Sequence, residues 1–344
     1  MIRSRISVAP ASVARRRTFA LALALGFASL AAPVAAADPD AVTLRMDVFF
    51  YGAHVPLLAG IADGTFEKHG LKVNAQTGRG SATTLQTVAN RSDDFGFADG
   101  GTLIRLAAQG IKVKQVVGML QKNPMIIMTR KTSGLVSPKD LNGKTGGFTP
   151  GSAPEQLVTA LASLTGMDLN SIKRISADIP TRDNAFLSGQ TDFSFGFSVT
   201  QLPLLQERCN CELNVIRYSD FGITSISNGI VVSDALIAEK PDVVRRFAAA
   251  TVESIAKAAR DPKTAVDGFF KFAEGKTQLS RNVVTKQWEE TIKLLRSDNS
   301  KDLPYGRMAE KDWKDTIDLL VKHAELPEGR VTPAAVHTNQ FLPR

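Results

Sequence analysis

The stretch D-V-F-F-Y-G-A-H at residues 47–54 marks the point where a predicted strand gives way to a predicted helix. Residues 43–49 are largely apolar and partly β-branched or aromatic, which is typical of a buried strand. From Val55 onward the apolar residues follow a helical spacing, and Pro56 is compatible with the first turn of a helix. Open α/β sheets bind ligands at such strand-to-helix turns, so we expect a ligand site here.

Four side chains of this turn could contact a small molecule. Phe49, Phe50 and Tyr51 supply three aromatic faces, and His54 supplies a titratable imidazole. We expect Tyr51 to stack on a planar ligand and His54 to donate or accept a hydrogen bond. The alternative for Phe49 and Phe50 is an ordinary place in the core, which we expect for at least one of them. Phe50, Tyr51 and His54 are therefore candidate ligand-binding residues.

Residues 1–37 have the composition of an export signal. Three arginines at 15–17 precede an apolar run at 19–32, and an A-x-A type cleavage site follows at 35–37. The R-R-x-F pattern at 16–19 also fits twin-arginine export. The apolar run is short for a membrane span. We expect cleavage near Ala37 and a soluble, monomeric protein in the periplasm.

Loss of this segment would remove most of the positive charge of the chain. The full sequence has 42 Lys and Arg against 34 Asp and Glu, and five of those arginines lie in residues 1–37. The remaining chain of about 307 residues has a net charge of about +3. That balance argues against a nucleic-acid partner, which requires a clustered basic face. The length is enough for two lobes.

Two more turns follow predicted strands in the first part of the chain. G-R-G-S at residues 78–81 opens a helix, with Ser81 as the predicted N-cap and two glycines that let the backbone approach a ligand. Arg79 either contacts an anion or is a solvated side chain. Asp99 follows the strand D-F-G-F-A at residues 94–98 and either accepts a hydrogen bond from the ligand or caps the next helix.

A short repeat links the two halves of the chain. The D-F-x-F pattern of residues 94–97 recurs at residues 192–195, and each copy follows a short predicted helix. Two lobes built on one α/β unit would face each other across a cleft. Phe195 and Phe197 flank Gly196, and we expect at most one of them to face that cleft, with Phe197 as the candidate.

The second half offers two weaker candidates. Ser152 begins S-A-P-E at residues 152–155, which reads as a capping box at a helix N-terminus facing the cleft. Asn228 lies near a predicted second crossing between the lobes. We place the first part of lobe 1 at residues 38–130, lobe 2 at 131–222, and the completion of lobe 1 with C-terminal helices at 223–344.

The cysteine and histidine content favours neither a metal site nor a cofactor. Cys209 and Cys211 are separated by one residue, and four histidines are scattered along the chain. Two thiols cannot complete a zinc site. In an exported protein they either form a tight disulfide or remain free. We expect no metal and no cofactor.

The motifs together resemble a known family. The sequence resembles the thiamine-precursor (hydroxymethylpyrimidine) synthase-like solute-binding proteins of ABC importers, which are neighbours of the sulfonate- and taurine-binding proteins. The resemblance lies in D-V-F-F-Y-G-A-H, in A-D-G-T-F-E-K-H-G-L-K-V at residues 62–73, in G-R-G-S, and in S-P-K-D-L-N-G-K at residues 137–144. The resemblance implies an α/β, two-lobed periplasmic binding protein fold of type II. Each lobe would be a mostly parallel sheet flanked by helices, with the ligand cleft between the lobes.

The resemblance also implies a function and its partners. We expect a periplasmic binding component that captures a small planar nutrient, aromatic or heterocyclic and either neutral or anionic, and delivers it to an ABC permease and its ATPase subunit. Pyrimidine-binding members have an aromatic residue and an asparagine where this chain has Val48 and Tyr51. One alternative ligand is an alkylsulfonate such as taurine. An alternative of another class is an enzyme that acts on a heterocycle through His54, although Cys209 and Cys211 do not reproduce the cysteine-rich cluster of the enzymatic members.

Overall fold

In the unit Pro39–Arg344, strands and helices are interspersed up to Ser233, and the elements that follow are helices. The computed structural model describes residues 1–2, 5–7, 38–324 and 326–344. The predicted export signal at residues 1–37 lies almost entirely outside these ranges, so the signal and its cleavage remain predictions. Among the described residues, no helix combines the length and the apolar composition needed to cross a membrane.

Ten strands in this part of the chain form two sheets. They are β1 (Asp40–Arg45), β2 (Leu71–Gln76), β3 (Phe95–Asp99), β4 (Val113–Gly118), β5 (Met125–Arg130), β6 (Thr145–Phe148), β7 (Lys173–Ser176), β8 (Phe193–Phe197), β9 (Leu213–Arg217) and β10 (Asn228–Ser233). The first sheet has the order β2-β1-β3-β10-β4 and the second the order β7-β6-β8-β5-β9.

Fourteen α-helices in the described ranges accompany the sheets. They are α1 (Val55–Ala62), α2 (Thr65–Lys68), α3 (Ser81–Ala89), α4 (Gly100–Ala108), α5 (Ala153–Gln156), α6 (Val158–Thr165), α7 (Ile179–Leu187), α8 (Gln201–Cys209), α9 (Asp234–Glu239), α10 (Pro241–Arg260), α11 (Pro262–Ala273), α12 (Arg281–Ile292), α13 (Glu310–His323) and α14 (Pro333–Val336). Short 3-10 turns lie at Gly52–His54, Lys131–Ser133, Pro138–Leu141 and Tyr218–Phe221.

Each sheet is mostly parallel, as expected. In each, one strand runs antiparallel to both of its neighbours: β10 in the first sheet and β5 in the second. The second sheet therefore begins with β5 at Met125, and the predicted boundary at residue 131 falls after that strand. Sequence could not place β5, because an apolar strand fits either sheet until its pairing with β8 and β9 is known.

The predicted repeat is a structural repeat as well. β3 and β8 both begin with the repeated motif, and they occupy the third position in their sheets. Asp94 accepts a hydrogen bond from the backbone N–H of Thr43 at 2.8 Å, and Asp192 accepts one from the N–H of Thr145 at 2.8 Å. The same carboxylate contact thus ties the motif to the neighbouring parallel strand in both halves, within β1 in the first sheet and at the start of β6 in the second.

Two crossovers connect the sheets and run side by side. The first is the segment between β4 and β5, and the second leads from β9 into β10. The N–H of Ser227 donates to the carbonyl oxygen of Leu120 at 2.9 Å, and the N–H of Leu120 donates to that of Asn228 at 2.7 Å. The Asn123 amide donates to the carbonyl oxygen of Ile223 at 2.9 Å. Paired crossovers of this kind form a narrow hinge between two rigid bodies.

Helix α10 packs against the first sheet through aromatic side chains. Phe247 stacks on Phe95 of β3 with ring centroids 3.8 Å apart, and both side chains are fully buried. Phe66 adds a tilted contact with Phe247 at 5.2 Å. Complete burial of each such side chain stabilises the fold by about 1.5–3 kcal/mol. The edge of this sheet is therefore a rigid platform for the loops that follow its strands.

Candidate ligand-binding site

The loop that follows β1 is organised by Asp47. Its Oδ2 accepts hydrogen bonds from Asn228 Nδ2 at 2.9 Å and from the Tyr51 hydroxyl at 3.3 Å. Its Oδ1 accepts from the backbone N–H of Val48 at 2.8 Å and lies 3.0 Å from Nε2 of His54. Four donors occupy the acceptor positions of one carboxylate, so Asp47 shapes the loop rather than offering an oxygen to a ligand.

Asp47 also explains why β1 is shorter than predicted. The strand was expected to reach residue 49, but it ends at Arg45. The side chain of Asp47 accepts a hydrogen bond from the backbone N–H of Val48. That N–H is then not available for a hydrogen bond to a neighbouring strand. The aromatic residues that follow therefore lie in a loop and do not alternate between two faces of a sheet.

His54 and Tyr51 are buried parts of this loop. His54 has no exposed surface, and the Tyr51 N–H donates to its Nδ1 at 3.4 Å. Since that N–H can only donate, the imidazole proton lies on Nε2 and points at Asp47. Burial, reinforced by the nearby Asp47 charge, raises the pKa of Tyr51 well above its usual value. Both ring nitrogens of His54 are used inside the protein, so its direct contact with a ligand remains only a prediction.

The two phenylalanines of the loop have opposite surroundings. Phe50 is 2% exposed and packs edge-on against Phe272 at 5.8 Å, which makes it core. Phe49 is 44% exposed and contacts the edge of the Tyr51 ring at 6.2 Å. Phe50 and Tyr51 were the aromatic candidates, yet Phe49 is the ring of this loop that solvent reaches.

The G-R-G-S loop packs on the same segment. A Cβ at Gly78 would lie 1.9 Å from the carbonyl oxygen of Met46, so only glycine permits this approach. The Gly80 N–H donates to the carbonyl oxygen of Asp47, and Gly80 has φ +115°, a conformation that favours glycine. Gly80, not Ser81, is the N-cap of α3, so the capping prediction for Ser81 was wrong. Arg79 is exposed at the tip of the loop.

Ser81 and Asp99 form the next part of the edge. The Ser81 hydroxyl accepts from the backbone N–H of Asp99 at 3.1 Å. Asp99 caps α4, since its Oδ1 accepts from the N–H of Thr102 at 2.7 Å. Its Oδ2 accepts from the Ser227 hydroxyl at 3.2 Å. Of the two roles proposed for Asp99, capping is therefore seen, and the half-buried carboxylate keeps acceptor capacity on Oδ2.

These residues define a first wall, made of residues 47–54, 78–81, 99 and 227–228. A second wall is made of the turns at the carboxyl ends of β6 and β8, residues 149–152 and 197–200. Phe195 is fully buried and Phe197 is partly exposed, although the two side chains lie on the same face of β8. The Ser152 hydroxyl is buried without a hydrogen-bond partner among the described residues.

The predicted capping box at the second wall is absent. Ser152 precedes α5, but its side chain caps no N–H of that helix. Glu155 instead accepts from the Gly151 N–H at 3.0 Å and pairs with Arg174. The arginine competes for the carboxylate that the box would need. The Ser152 hydroxyl therefore keeps its donor and acceptor capacity for the predicted ligand contact.

A cavity of about 650 Å³ lies elsewhere, between the crossovers and the C-terminal segment. It contains none of the candidate site residues. Its charged side chains are largely paired with one another, as in Lys122 with Asp298 at 2.8 Å and Arg217 with Glu290 at 3.6 Å. We therefore keep the two walls as the candidate site, because the first has an exposed ring, Phe49, and the second has buried hydroxyls without partners among the described residues, Ser152 and Ser198.

Metal and thiol chemistry have no visible basis in the described residues. Within them, no group of three or more His, Cys, Asp or Glu side chains is arranged to hold a metal ion. Cys209 and Cys211 are joined in a disulfide at the C-terminus of α8, which decides between the two options left by the sequence.

A family model described as NMT1/THI5 like matches residues 52–265, more than half of the chain. The chain belongs to the NMT1/THI5-like family. The matched region begins in the first wall at Gly52 and includes both crossovers, the second wall and Asn228. The family to which the motifs pointed is thus confirmed.

Individual relatives of this NMT1/THI5-like chain are distant. The riboflavin-binding protein RibY of Chloroflexus aurantiacus is 26% identical over 326 residues, which cover 91% of each chain. A 4-amino-5-hydroxymethyl-2-methylpyrimidine phosphate synthase of Legionella pneumophila is 23% identical over 304 residues, 88% of this chain and 92% of the relative. The alkanesulfonate-binding protein SsuA of Xanthomonas axonopodis pv. citri, solved with bound MOPS, has a TM-score of 0.66 at 18% identity and covers 88% of this chain and 100% of SsuA. That likeness confirms the two-lobed binding-protein fold.

Sequence reasoning missed three residues of the site. Asp47 and Phe49 stood in the decisive stretch but were not selected, and Ser227 was overlooked beside Asn228. An acidic residue directly after an apolar strand was the available signal for Asp47. Nothing local distinguishes Phe49 from Phe50, because their different burial depends on α11 packing against the loop.

Proposed function

We propose that this chain is the substrate-binding component of an ABC-type importer, exported to the periplasm, for a small planar ring compound. The observation that carries the proposal is that the loops after β1 and β3, at the carboxyl edge of the first sheet, present an exposed ring, Phe49, and a carboxylate with acceptor capacity, Asp99. A planar ligand would stack on Phe49, donate a hydrogen bond to Asp99 and accept one from the Ser81 hydroxyl. An ABC permease and its ATPase subunit would receive it.

The charges of the first wall refine the ligand class. Asp47 and Asp99 lie close enough that both raise the pKa of Tyr51, after the larger effect of burial. The N–H groups of Gly78 and Gly80 are used by the carbonyl oxygens of Val48 and Asp47. An anionic ligand would meet two carboxylates and few free amides, so a neutral ring with N–H or O–H donors fits better.

An alkylsulfonate such as taurine is the second candidate ligand. Its support is the SsuA-like fold and the exposed guanidinium of Arg79 at the tip of the loop. A sulfonate also needs several N–H or cationic partners, and the α3 N-terminus at Ser81 could contribute some of them.

The enzyme alternative requires a reactive imidazole. His54 is fully buried, with Nδ1 accepting from Tyr51 and Nε2 directed at Asp47. A general base must reach the proton that it removes, and this imidazole has no nitrogen free to do so. We therefore favour binding without turnover, in line with the relatives that are named as binding proteins.

A thermal-shift screen of the mature protein against flavins, pyrimidines, aromatic carboxylates and alkylsulfonates tests the proposal. A ligand at 100 times its Kd stabilises the fold by about 2.7 kcal/mol. Phe49→Ala should weaken a ring compound about five- to tenfold, as expected for loss of an aromatic contact of about 1 kcal/mol. Val136→Ala, which removes another exposed apolar side chain outside both walls, is the matched control.

Three outcomes separate the alternatives. A response to ring compounds that Phe49→Ala weakens supports the proposal. A response to sulfonates alone, lost in Arg79→Ala, keeps the receptor and replaces the ligand class. Chemical conversion of a heterocycle during incubation would overturn the binding role.

A further inference from the structure

Gln287 of α12 connects the two walls. Its Oε1 accepts from the backbone N–H of Gly52 at 2.9 Å, and its Nε2 donates to the carbonyl oxygen of Thr200 at 2.9 Å. Gly52 belongs to the first wall and Thr200 to the second. The side chain is completely buried, so water does not compete for either bond. This connection is separate from the crossovers.

A primary amide supplies both the acceptor and the donor that this position requires. The Gly52 N–H can only donate and the Thr200 carbonyl can only accept, so the orientation of the Gln287 amide is fixed by its partners. A carboxylate of the same size would keep the first bond and set a negative oxygen against the Thr200 carbonyl. An apolar side chain would lose both bonds.

The helix that carries Gln287 is fixed to the first sheet. Trp288 donates through Nε1 to the carbonyl oxygen of Ala258 on α10 at 3.2 Å, and Trp288 is fully buried. A Cβ at Gly52 would lie 2.3 Å from the Cβ of Gln287, so the helix rests directly on the backbone of the first wall. Gln287 therefore reaches the second wall from a helix that packs directly against the first wall.

Contacts around Gln287 continue the connection between the walls. Val199 of the second wall is buried in the same apolar cluster as Phe50. Further along α8, Glu207 accepts from the Ser280 hydroxyl at 2.7 Å and from Asn282 Nδ2 at 2.8 Å, at the start of α12. The hydrogen bonds of Glu207 are exposed to solvent, whereas those of Gln287 are buried. Because water competes for the exposed bonds, we expect the Gln287 bonds to contribute more to holding the walls together.

We propose that Gln287 is a positioning residue that sets the spacing of the two walls without contacting the ligand. The proposal rests on the proposed function in one respect, because it takes the gap between the two walls to be the ligand cleft. Loss of the bridge should let the second sheet swing about the paired crossovers. The displacement would be largest at the sheet edges far from the crossovers, which are β2 and β7.

Spin-label distances in the ligand-free protein test this directly. Lys72 of β2 and Lys173 of β7 are exposed and suit cysteine substitution and labelling, since the two native cysteines are bonded to each other. In this background, Gln287→Met removes both bonds and Gln287→Glu removes only the donor to Thr200. Gln115→Met is the matched control, because Gln115 is equally buried and its side chain bonds to Met308, which does not belong to the second sheet or to either wall.

We expect a longer mean distance and a broader distribution in Gln287→Met and in Gln287→Glu, and the parent distribution in Gln115→Met. An unchanged distribution in both Gln287 variants overturns the proposal, and so does an equal change in Gln115→Met. Amide hydrogen exchange across residues 50–54 confirms that the Gly52 bond is lost in Gln287→Met and kept in Gln287→Glu. Because no ligand enters the experiment, its result does not depend on the proposed function.

Discussion

Replacement of Asp47 tests whether one buried carboxylate holds the first wall together. In Asp47→Ala the donors of Tyr51, His54 and Asn228 lose their acceptor, and these side chains are 2%, 0% and 6% exposed. Each buried donor left without a partner costs about 1–3 kcal/mol. Two effects offset part of this loss. The folded state no longer bears the free-energy cost of burying the Asp47 carboxylate, and water that enters the vacated space forms hydrogen bonds with some of the donors.

The balance of these terms is a loss of about 2–4 kcal/mol in the free energy of unfolding. Asp47→Asn keeps the size and one acceptor oxygen, but it points an NH₂ group at donors. We expect about half the loss for this variant, about 1–2 kcal/mol. Urea unfolding followed by fluorescence and circular dichroism measures both values, and unchanged m-values show that the unfolded state is unaffected.

Asp298→Ala is the control, because Asp298 is an exposed carboxylate whose ion pair with Lys122 should contribute about 0.5 kcal/mol or less. The reasoning is refuted if Asp47→Ala costs no more than this control. It is also refuted if Asp47→Asn is as damaging as Asp47→Ala, since the network would then depend on charge and not on the number of acceptors.

Three other substitutions probe separate parts of the fold. Cys209→Ser with Cys211→Ser should lower stability by about 1.5 kcal/mol, the loop-entropy value for so short a loop, without changing ligand response in the thermal-shift screen. Gly78→Ala should cost about 1–3 kcal/mol in urea unfolding, because its Cβ would overlap the Met46 carbonyl, and a neutral result would show that the loop relaxes freely. Hydrogen bonding from His69, and then from Lys257, lowers the pKa of Glu253. That stabilisation exists above the unfolded pKa of about 4.3 and disappears as pH falls through the folded value. Glu253→Gln should thus be a few tenths of a kcal/mol less stable at pH 7 and equal to the parent near pH 3, and a difference that persists in acid would contradict this.

The fold was readable from sequence because its signals are local. Strand and helix periodicity alternate along the chain, and the D-F-x-F repeat marked the equivalent strands β3 and β8. Each half could be recognised from its own residues, since a parallel β-α unit is short and contiguous. Pairing within a sheet is not local, and this is why β5 was assigned to the wrong half.

The candidate site was only partly readable because its contacts are distant in sequence. Asp47 meets Asn228 after 181 residues, and Gly52 meets Gln287 after 235. Periodicity located the turn but could not assign burial within it, so Phe50 and Tyr51 were preferred over Phe49. Ser81 looked like an N-cap by residue type, whereas the backbone of Gly80 took that position.

A common physical cause underlies these differences. The aromatic and titratable residues of the stretch at residues 47–54 mostly stabilise the loop itself. Tyr51 and His54 form hydrogen bonds to Asp47, and Asn228 donates to the same carboxylate from β10. We propose that a ligand uses groups outside the Asp47 network: the Phe49 ring, the remaining acceptor capacity of Asp99 Oδ2, and the Ser81 hydroxyl proton. If this division is correct, substitution at Phe49 should change ligand affinity with little effect on stability. Substitution at Asp47 should change stability first, and the two effects can be separated by measuring unfolding and ligand response on the same variants.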